Sequence, residues 1–556
     1  MRKLIVIVVF ALAACAGSDE TLRVDAGKAC ESLKQSIGAS AIGLPTSGAT
    51  VESAELMAAA PLAVNPKPLF TPPPPDFAIA PATPEYCKVI GSIAPVDPKA
   101  PPIRFQVNLP TQWNGASVQF GGGGFNGVLM TGLGLLPSAR PDKPSPLARG
   151  FVTYGTDSGH QNAPGVALQA FALNDEALVN FAHASYKKVR DVAVELMKRR
   201  YGSAPKRLYF AGTSEGGREG LTMAQRYPDD YDGIFSRAPV INWVGLQVAG
   251  TRAGIAQMEG GWLDADKVRL VHTAVLTACD SRDGLVDGIV SDYEGCRQAF
   301  DPSSLRCLGR APSNCLNDAQ LKAVQTMHSP LTFPFALANG VTTYPAWGRG
   351  GENAQGTGAV GGWISWQTGT APPALPPGPN SSRAWLYGSG AVQYFFAREP
   401  GFDPRKFDAV ALAPRLREIS ALMDSTDPDL SRFAARGGKL VINENMADYA
   451  QSPYAGIDYY RGVVARMGQA SADGFLRLYV TPGADHMGVG APSNVDVLEV
   501  LVDWVEKGRA PGELVQVAQD LTPPFKIVSA RPMCRYPNYP HYRSGDPRAA
   551  ESFECR

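Results

Sequence analysis

Residues 210–220 read FAGTSEGGREG and contain Gly212-Thr213-Ser214-Glu215-Gly216, a serine with a glycine two positions away on each side. A serine hydroxyl attacks a carbonyl only when a base takes its proton and an acid orients that base. An apolar strand pattern over residues 208–211 runs into Ser214 and a helical pattern runs out of it, the context in which such a serine stands exposed on a sharp turn. The same pattern also suits a serine that caps a helix N-terminus. A base distinguishes the two readings. His160 and His183 precede Ser214, His272 and His328 fall where the strand–helix alternation is broken, and His541 lies in a Tyr-, Pro- and Arg-rich tail. His486, in the glycine-bearing loop TPGADHMG directly after a strand pattern, is the candidate base. KLVINENMADYA offers Glu444 and Asp448 as the orienting acid, and Asp448 in the turn-like MADY is preferred. Asp485 is too close in sequence to orient its neighbour's ring and is read as shaping the loop. The oxyanion that forms on attack needs backbone N–H donors. Glu215 supplies one, and Gly123 or Gly124 of the run GGGGFNG (121–127) supplies the other. A phosphate-binding loop is the competing reading of those glycines, but no G-x-x-x-x-G-K-[ST] pattern is present.

These residues need a sheet to hold them. KVIGSIAPV, IRFQVNLP, ASVQF, GFVTYGT and RLYFAG read as strands by β-branched content and alternation. NDEALVNFAHASYKKVRDVAVELMKRRYG reads as a long amphipathic helix, with Asn174 or Asp175 as cap and Gly202 past its end. Strands alternating with helices predict an α/β sheet. The alternation stops near Val240 and returns at GGKLVINENMADYA and GFLRLYV, so residues 241–426 are expected to form an inserted domain, with residues 15–240 and 427–556 as the sheet-bearing domain. The segment before Cys87 contains the run PLFTPPPPDFAIAPATP, expected to lie extended over the surface.

The chain has 556 residues, with 52 Lys and Arg against 52 Asp and Glu, a balance that argues against electrostatic binding of nucleic acid or of an anionic membrane. It opens MRKLIVIVVFALAACAGSDE. Two cations and an apolar run over residues 4–14 suit a signal peptide and are too short to span a bilayer. Leu12-Ala13-Ala14-Cys15 resembles a bacterial lipobox, which makes 1–14 the leader and Cys15 a lipidated anchor. Ordinary secretory cleavage near the same point is the alternative, and either reading exports the chain to an oxidising compartment. Eight further cysteines remain. Pairing near neighbours gives Cys279–Cys296, Cys307–Cys315 and Cys534–Cys555 and leaves Cys30 with Cys87, although other connectivities stay open.

In order along the chain, GGGGFNG, GTDSGH, AGTSEGG, ACDSRDGLVDGIVSDYEGC, GGKLVINENMADYA, IDYYRGVV, TPGADHMG and RPMCRYPNYPHYRSGDPRAAESFEC together resemble the tannase/feruloyl esterase family, which includes the hydrolases of mono(2-hydroxyethyl) terephthalate. The resemblance covers nearly all of the chain after the leader. It implies an α/β-hydrolase fold with a large lid, and Ser214, Asp448 and His486 fall on the family's triad positions. The family usually carries a disulfide between a cysteine just before the serine and one just after the histidine. Thr213 and Met487 stand there in this chain, so the triad is expected to be held by packing and hydrogen bonds.

Asp280-Ser281-Arg282-Asp283-Gly284-Leu285-Val286-Asp287-Gly288-Ile289 crowds three carboxylates, a hard-oxygen set suited to Ca²⁺ without the spacing of an EF-hand. The resemblance implies Asp280, Asp283 and Asp287 side chains with the Leu285 and Ile289 carbonyls as ligands of a structural calcium. A solvated acidic turn is the alternative. Trp363, Trp366, Trp385, Tyr387, Tyr394, Phe395 and Phe396 offer lid aromatics, of which Trp385 and Phe396 are expected to contact substrate, with Arg383 a candidate for a substrate carboxylate. The expected activity is hydrolysis of feruloyl, galloyl or terephthaloyl esters. The expectation from another class is a non-catalytic exported lipoprotein that binds aromatic ligands on a hydrolase scaffold.

Overall fold

The structure, a computed structural model, describes residues 18–65, 78–309, 314–354 and 361–556. The leader, Cys15 and residues 66–77, which hold most of the prolines of the proline-rich run, lie outside the described residues. A ten-stranded sheet organises the catalytic part. Its strands in chain order are β1 (Ser36–Ile37), β2 (Ala49–Met57), β3 (Tyr86–Ile93), β4 (Ile103–Pro110), β5 (Ala116–Phe120), β6 (Val152–Thr156), β7 (Arg207–Thr213), β8 (Gly233–Arg237), β9 (Lys439–Asn445) and β10 (Leu476–Thr481). Across the sheet the order is β1-β2-β3-β4-β6-β5-β7-β8-β9-β10. The pairs from β1 to β4 and the β4–β6 pair are antiparallel, and every pair from β6 to β10 is parallel. A mostly parallel sheet in this order, with a helix leaving the serine turn, is an α/β-hydrolase fold.

The parallel half is buried on both faces, so its strands are apolar at consecutive positions rather than alternately. In β7, Leu208 and Phe210 join the core that holds Leu221 and Ala224, while Tyr209 and Ala211 join the one that holds Leu498, Leu501 and Trp504 of the helix Val497–Lys507. Helix α1 (Ser185–Tyr201) buries Val189, Val192 and Leu196 against Val107 and Tyr154 of β4 and β6. The predicted long helix is not continuous. It starts as a short turn at Asp175, capped by the Asn174 side chain on the Ala177 amide (2.9 Å), and passes through a π-helical turn at Asn180–Ala184 before α1. That turn leaves the Phe181 and Ala182 carbonyls to accept hydrogen bonds from Arg218 (3.4 and 2.9 Å).

Three strands differ from expectation. β1 and β2 extend the sheet before Cys87, where only a surface segment was expected, and β8 fills the gap between β7 and β9. After Arg237 the described chain contributes no strand to this sheet until Lys439. Helix α2 (Glu215–Arg226) joins β7 to β8, and the lid that intervenes before β9 includes α3 (Trp243–Ala256) and α4 (Arg383–Ala391). The lid's two ends meet where the Ser425 amide donates to the Ile241 carbonyl (2.9 Å). Four disulfides form, Cys30–Cys87, Cys279–Cys296, Cys307–Cys315 and Cys534–Cys555, as expected of an exported chain. Among the described residues no helix is long and apolar enough to cross a membrane.

Candidate active site

The loops that leave the C-terminal ends of β5, β7, β9 and β10 converge on one cavity of about 460 Å³, the edge at which parallel sheets bind their ligands. Ser214 stands between the end of β7 and the start of α2 with φ 61° and ψ −124°, left-handed backbone that costs a non-glycine residue about 1–3 kcal/mol. The strain holds because the turn is over-determined. The Ser214 amide donates to the Arg237 carbonyl of β8 (3.0 Å), and its own carbonyl accepts from the Arg218 and Val240 amides (3.1 and 3.2 Å). The flanking glycines permit the close passage: a Cβ on Gly212 would stand 2.3 Å from the Gly216 carbonyl oxygen, and one on Gly216 would stand 2.6 Å from that of Gly122.

His486 faces the same cavity. Its Nδ1 lies 2.7 Å from Asp448 Oδ2, so the ring donates from Nδ1 and keeps Nε2 as the acceptor. Asp448 is fully buried; its Oδ1 accepts from the amides of Ala450 (2.7 Å) and Gln451 (3.3 Å), and Oδ2 also accepts from Gln451 Nε2 (3.2 Å). Glu444, the other candidate acid, is buried beside it and accepts from the same Gln451 side-chain amide (2.9 Å). Burial and the neighbouring Asp448 charge push its carboxyl well above the usual carboxylate range. Asp485 shapes the histidine loop: its Oδ1 accepts from the Met487 and Val489 amides (both 2.9 Å). Burial raises its carboxyl to about 6.

Gly123 and Gly124 line the cavity with Glu215, the first residue of α2. The Gly122 amide is already committed to a carboxylate. Thr213 accepts from the buried Arg237 Nε (3.0 Å), and Arg237 Nη1 also donates to Ser138 Oγ (3.2 Å). Sequence reasoning had no means to find Arg237, because its partners lie 24 and 99 residues away.

The lid roofs the cavity with Trp366, Arg383 and Tyr387. Trp366 meets the His486 ring edge-on (centroids 5.5 Å apart), and Tyr387 is edge-on to Phe125 (4.8 Å). The Arg383 guanidinium stands over Trp366 at 5.5 Å, and burial lowers its pKa. Two expected substrate contacts are corrected. Trp385 is completely buried in the lid, with its indole N–H donated to the Ala374 carbonyl (2.8 Å), and Phe396 packs in the lid core against Trp243 and Phe407. Neither lines the cavity. Arg383 and Tyr387 are four residues apart on α4 and share a face, whereas Trp385 points away from it. Gln247 of α3, also buried, lines the cavity and carried no sequence signal.

In the acidic loop, Asp280 and Asp283 are buried. Asp280 accepts from the Gly288 amide (3.0 Å) and Asp283 from those of Leu285 and Ser291 (3.2 and 3.1 Å). Asp287 Oδ2 is paired with Arg531. Among the described residues no three acidic, histidine or cysteine side chains converge as a ligating set.

Residues 87–556 match the tannase and feruloyl esterase family. An uncharacterised esterase of Agrobacterium fabrum is 37% identical over 94% of this chain and 91% of its own. A mono(2-hydroxyethyl) terephthalate hydrolase of Piscinibacter sakaiensis is 34% identical over 86% of each. The crystal structure of an esterase from Aspergillus oryzae superposes with a TM-score of 0.76 at 24% identity, covering 95% of this chain and all of that one.

Proposed function

The chain belongs to the tannase and feruloyl esterase family and is a carboxylic ester hydrolase, and from that premise we propose that it cleaves esters of aromatic acids through Ser214, His486 and Asp448. The observation that carries this is the 2.7 Å His486–Asp448 hydrogen bond beside a serine on strained backbone in a shared cavity. His486 Nε2 takes the Ser214 proton as Oγ attacks the ester carbonyl. The amides of Glu215 and of Gly123 or Gly124 receive the oxyanion. The protonated imidazole then gives its proton to the departing alcohol, leaving an acyl-serine. Water, activated by His486, attacks the acyl-serine and frees the acid. The strained serine speaks against a binding scaffold without chemistry, which gains nothing from holding it.

Aromatic rings around the cavity, Phe125, Trp243, Trp366 and Tyr387 among them, suit an aromatic acyl group, and Arg383 suits a carboxylate on it. The test is parallel hydrolysis of mono(2-hydroxyethyl) terephthalate, methyl ferulate and methyl gallate. Arg383→Ala should raise KM for the terephthalate monoester about tenfold or more, the loss of a charge-assisted pair, and leave methyl ferulate within about twofold. Equal loss on both esters would assign Arg383 to lid support. Turnover of none of the three would remove the aromatic-acid reading.

We further assign the acidic loop to a structural calcium held by Asp280, Asp283 and Asp287 with the Leu285 and Ile289 carbonyls. Asp280 and Asp283 are buried hard-oxygen donors of the kind that cation takes, whereas Asp287 is exposed and paired with Arg531, a pair the ion would have to displace; a bound ion would supply charge neutralisation and no chemistry. Chelation should lower Tm by several degrees, and calcium, not magnesium, should restore it. An unchanged Tm together with no calcium uptake in titration calorimetry would return the loop to an acidic turn neutralised by Arg531. The leader is proposed to end just before Cys15, with lipidation of that cysteine; mass spectrometry of the mature N-terminus reads this directly.

A further inference from the structure

The two halves of the oxyanion site come from segments about ninety residues apart, so something must fix their separation. Glu219 stands one helical turn beyond Glu215 on α2 and is completely buried. Its Oε2 accepts from the Gly122 amide (2.9 Å) and its Oε1 from Asn126 Nδ2 (2.7 Å). One carboxylate therefore holds both ends of the turn 122–126, the segment that carries Gly123 and Gly124. The turn is closed on itself by the Asn126 amide on the Gly123 carbonyl (3.0 Å), and is tied back to α2 by the Gly216 amide on the Gly122 carbonyl (3.1 Å). Asn126 has φ 26° and Gly124 φ 58°, so the turn runs through left-handed backbone that is not self-maintaining. The Gly122 N–H is spent on Glu219, and the next two residues of the turn, Gly123 and Gly124, line the cavity.

We propose that Glu219 is the positioning residue of the oxyanion site, holding the 122–126 turn at a fixed distance from the Glu215 amide. α2 then carries one donor at its N-terminus and the clamp for the other one turn later. This inference rests on the Ser214 triad reading and adds to it. Both Glu219 oxygens are spent as acceptors on the Gly122 amide and the Asn126 side chain, so what the turn needs from it is a pair of acceptors. Donors set about 1 Å off the oxyanion cost roughly a hundredfold in rate, and an oxyanion interaction exists mainly in the transition state, so the loss belongs in kcat rather than KM.

The test uses the full-length enzyme on 4-nitrophenyl acetate, with Tm measured beside the kinetics. Glu219→Met keeps chain length and removes both acceptors; kcat should fall about 10- to 100-fold with KM within about threefold. Glu219→Gln keeps one acceptor for the Gly122 amide, and rotation of Asn126 satisfies the other arm, so kcat should recover to within about fivefold of wild type. Asn126→Gly suits the positive φ and removes one arm, so it should lower kcat several-fold with KM unchanged, and it decides the matter if Glu219→Met does not fold. Unchanged kcat in a folded Glu219→Met or in Asn126→Gly overturns the proposal. So does an equal loss in Glu219→Met and Glu219→Gln, which would mark a structural need for the charge. Ser214→Ala in the same assay keeps the two readings apart: turnover persisting there sinks the triad, whereas its loss there beside a fully active Glu219→Met sinks this inference alone.

Discussion

Ser214→Ala should leave a folded protein that hydrolyses no aromatic ester faster than about 10⁻⁴ of the wild-type kcat. The residual rate would come from the oxyanion amides and the cavity, which still bind and polarise the ester. The substitution removes one oxygen from a half-exposed side chain, and the hydrogen bonds that hold the turn use the backbone of residue 214, so Tm should stay close to wild type. Alanine accepts φ 61° no more readily than serine, so the strained turn persists. With an activated ester whose acyl-serine is hydrolysed slowly, rapid quench should trap wild-type protein heavier by one acyl group on the peptide that contains Ser214, and the variant should show no adduct. Turnover above about a hundredth of wild type, or an acyl adduct on another residue, would remove Ser214 as the nucleophile.

That Ser214, Asp448 and His486 come together was legible because each lies just past a strand with a recognisable pattern. RLYFAG, KLVINEN and LRLYVT are apolar runs that must be sheet, and each runs into a turn, so Ser214, Asp448 and His486 had to gather at one edge. The pairing of His486 with Asp448 rather than Glu444 was legible for the same reason: Glu444 falls inside β9, and its side chain is committed to the buried interior beside Gln451. Pairing across distance could not be read. Glu219 meets residues 93 and 97 positions earlier, and Arg237 meets Thr213 and Ser138; neither spacing has a period that a sequence displays. β2 escaped detection because ATVESAELM is half-exposed near the sheet edge, where polar and charged residues interrupt the strand pattern. The lid aromatics promised more substrate contact than they deliver. Helical geometry separates Tyr387 from Trp385 once the boundaries of α4 are known, but a stretch rich in Gly, Pro and Trp does not announce where its helices begin.

Asp448→Asn should cost about 10⁴-fold in kcat, with KM little changed. Four donors converge on the Asp448 carboxylate: the Ala450 and Gln451 amides, Gln451 Nε2 and His486 Nδ1. A carboxylate accepts all of them, whereas a carboxamide must turn its NH₂ toward one pair. Facing the backbone, it sets donor against donor in a site with no room to relax, since Asp448 is wholly buried. Facing the ring, it becomes the donor to Nδ1. That moves the imidazole proton to Nε2, so His486 offers Ser214 a proton instead of taking one. Either orientation costs activity; the second also gives up the Gln451 Nε2 bond, which Gln451 can forgo because it still donates to Glu444, and it removes the base, so the loss should fall on kcat. Glu444 shares the same Gln451 side-chain amide, and the His486 Nδ1 bond goes to Asp448 and not to Glu444, so Glu444 does not orient the ring. Glu444→Gln should accordingly cost less than about tenfold. If Asp448→Asn instead retained a tenth of wild-type kcat while Glu444→Gln lost a thousandfold, the orienting acid would be Glu444, and Asp448 would be only the residue that shapes the turn after β9.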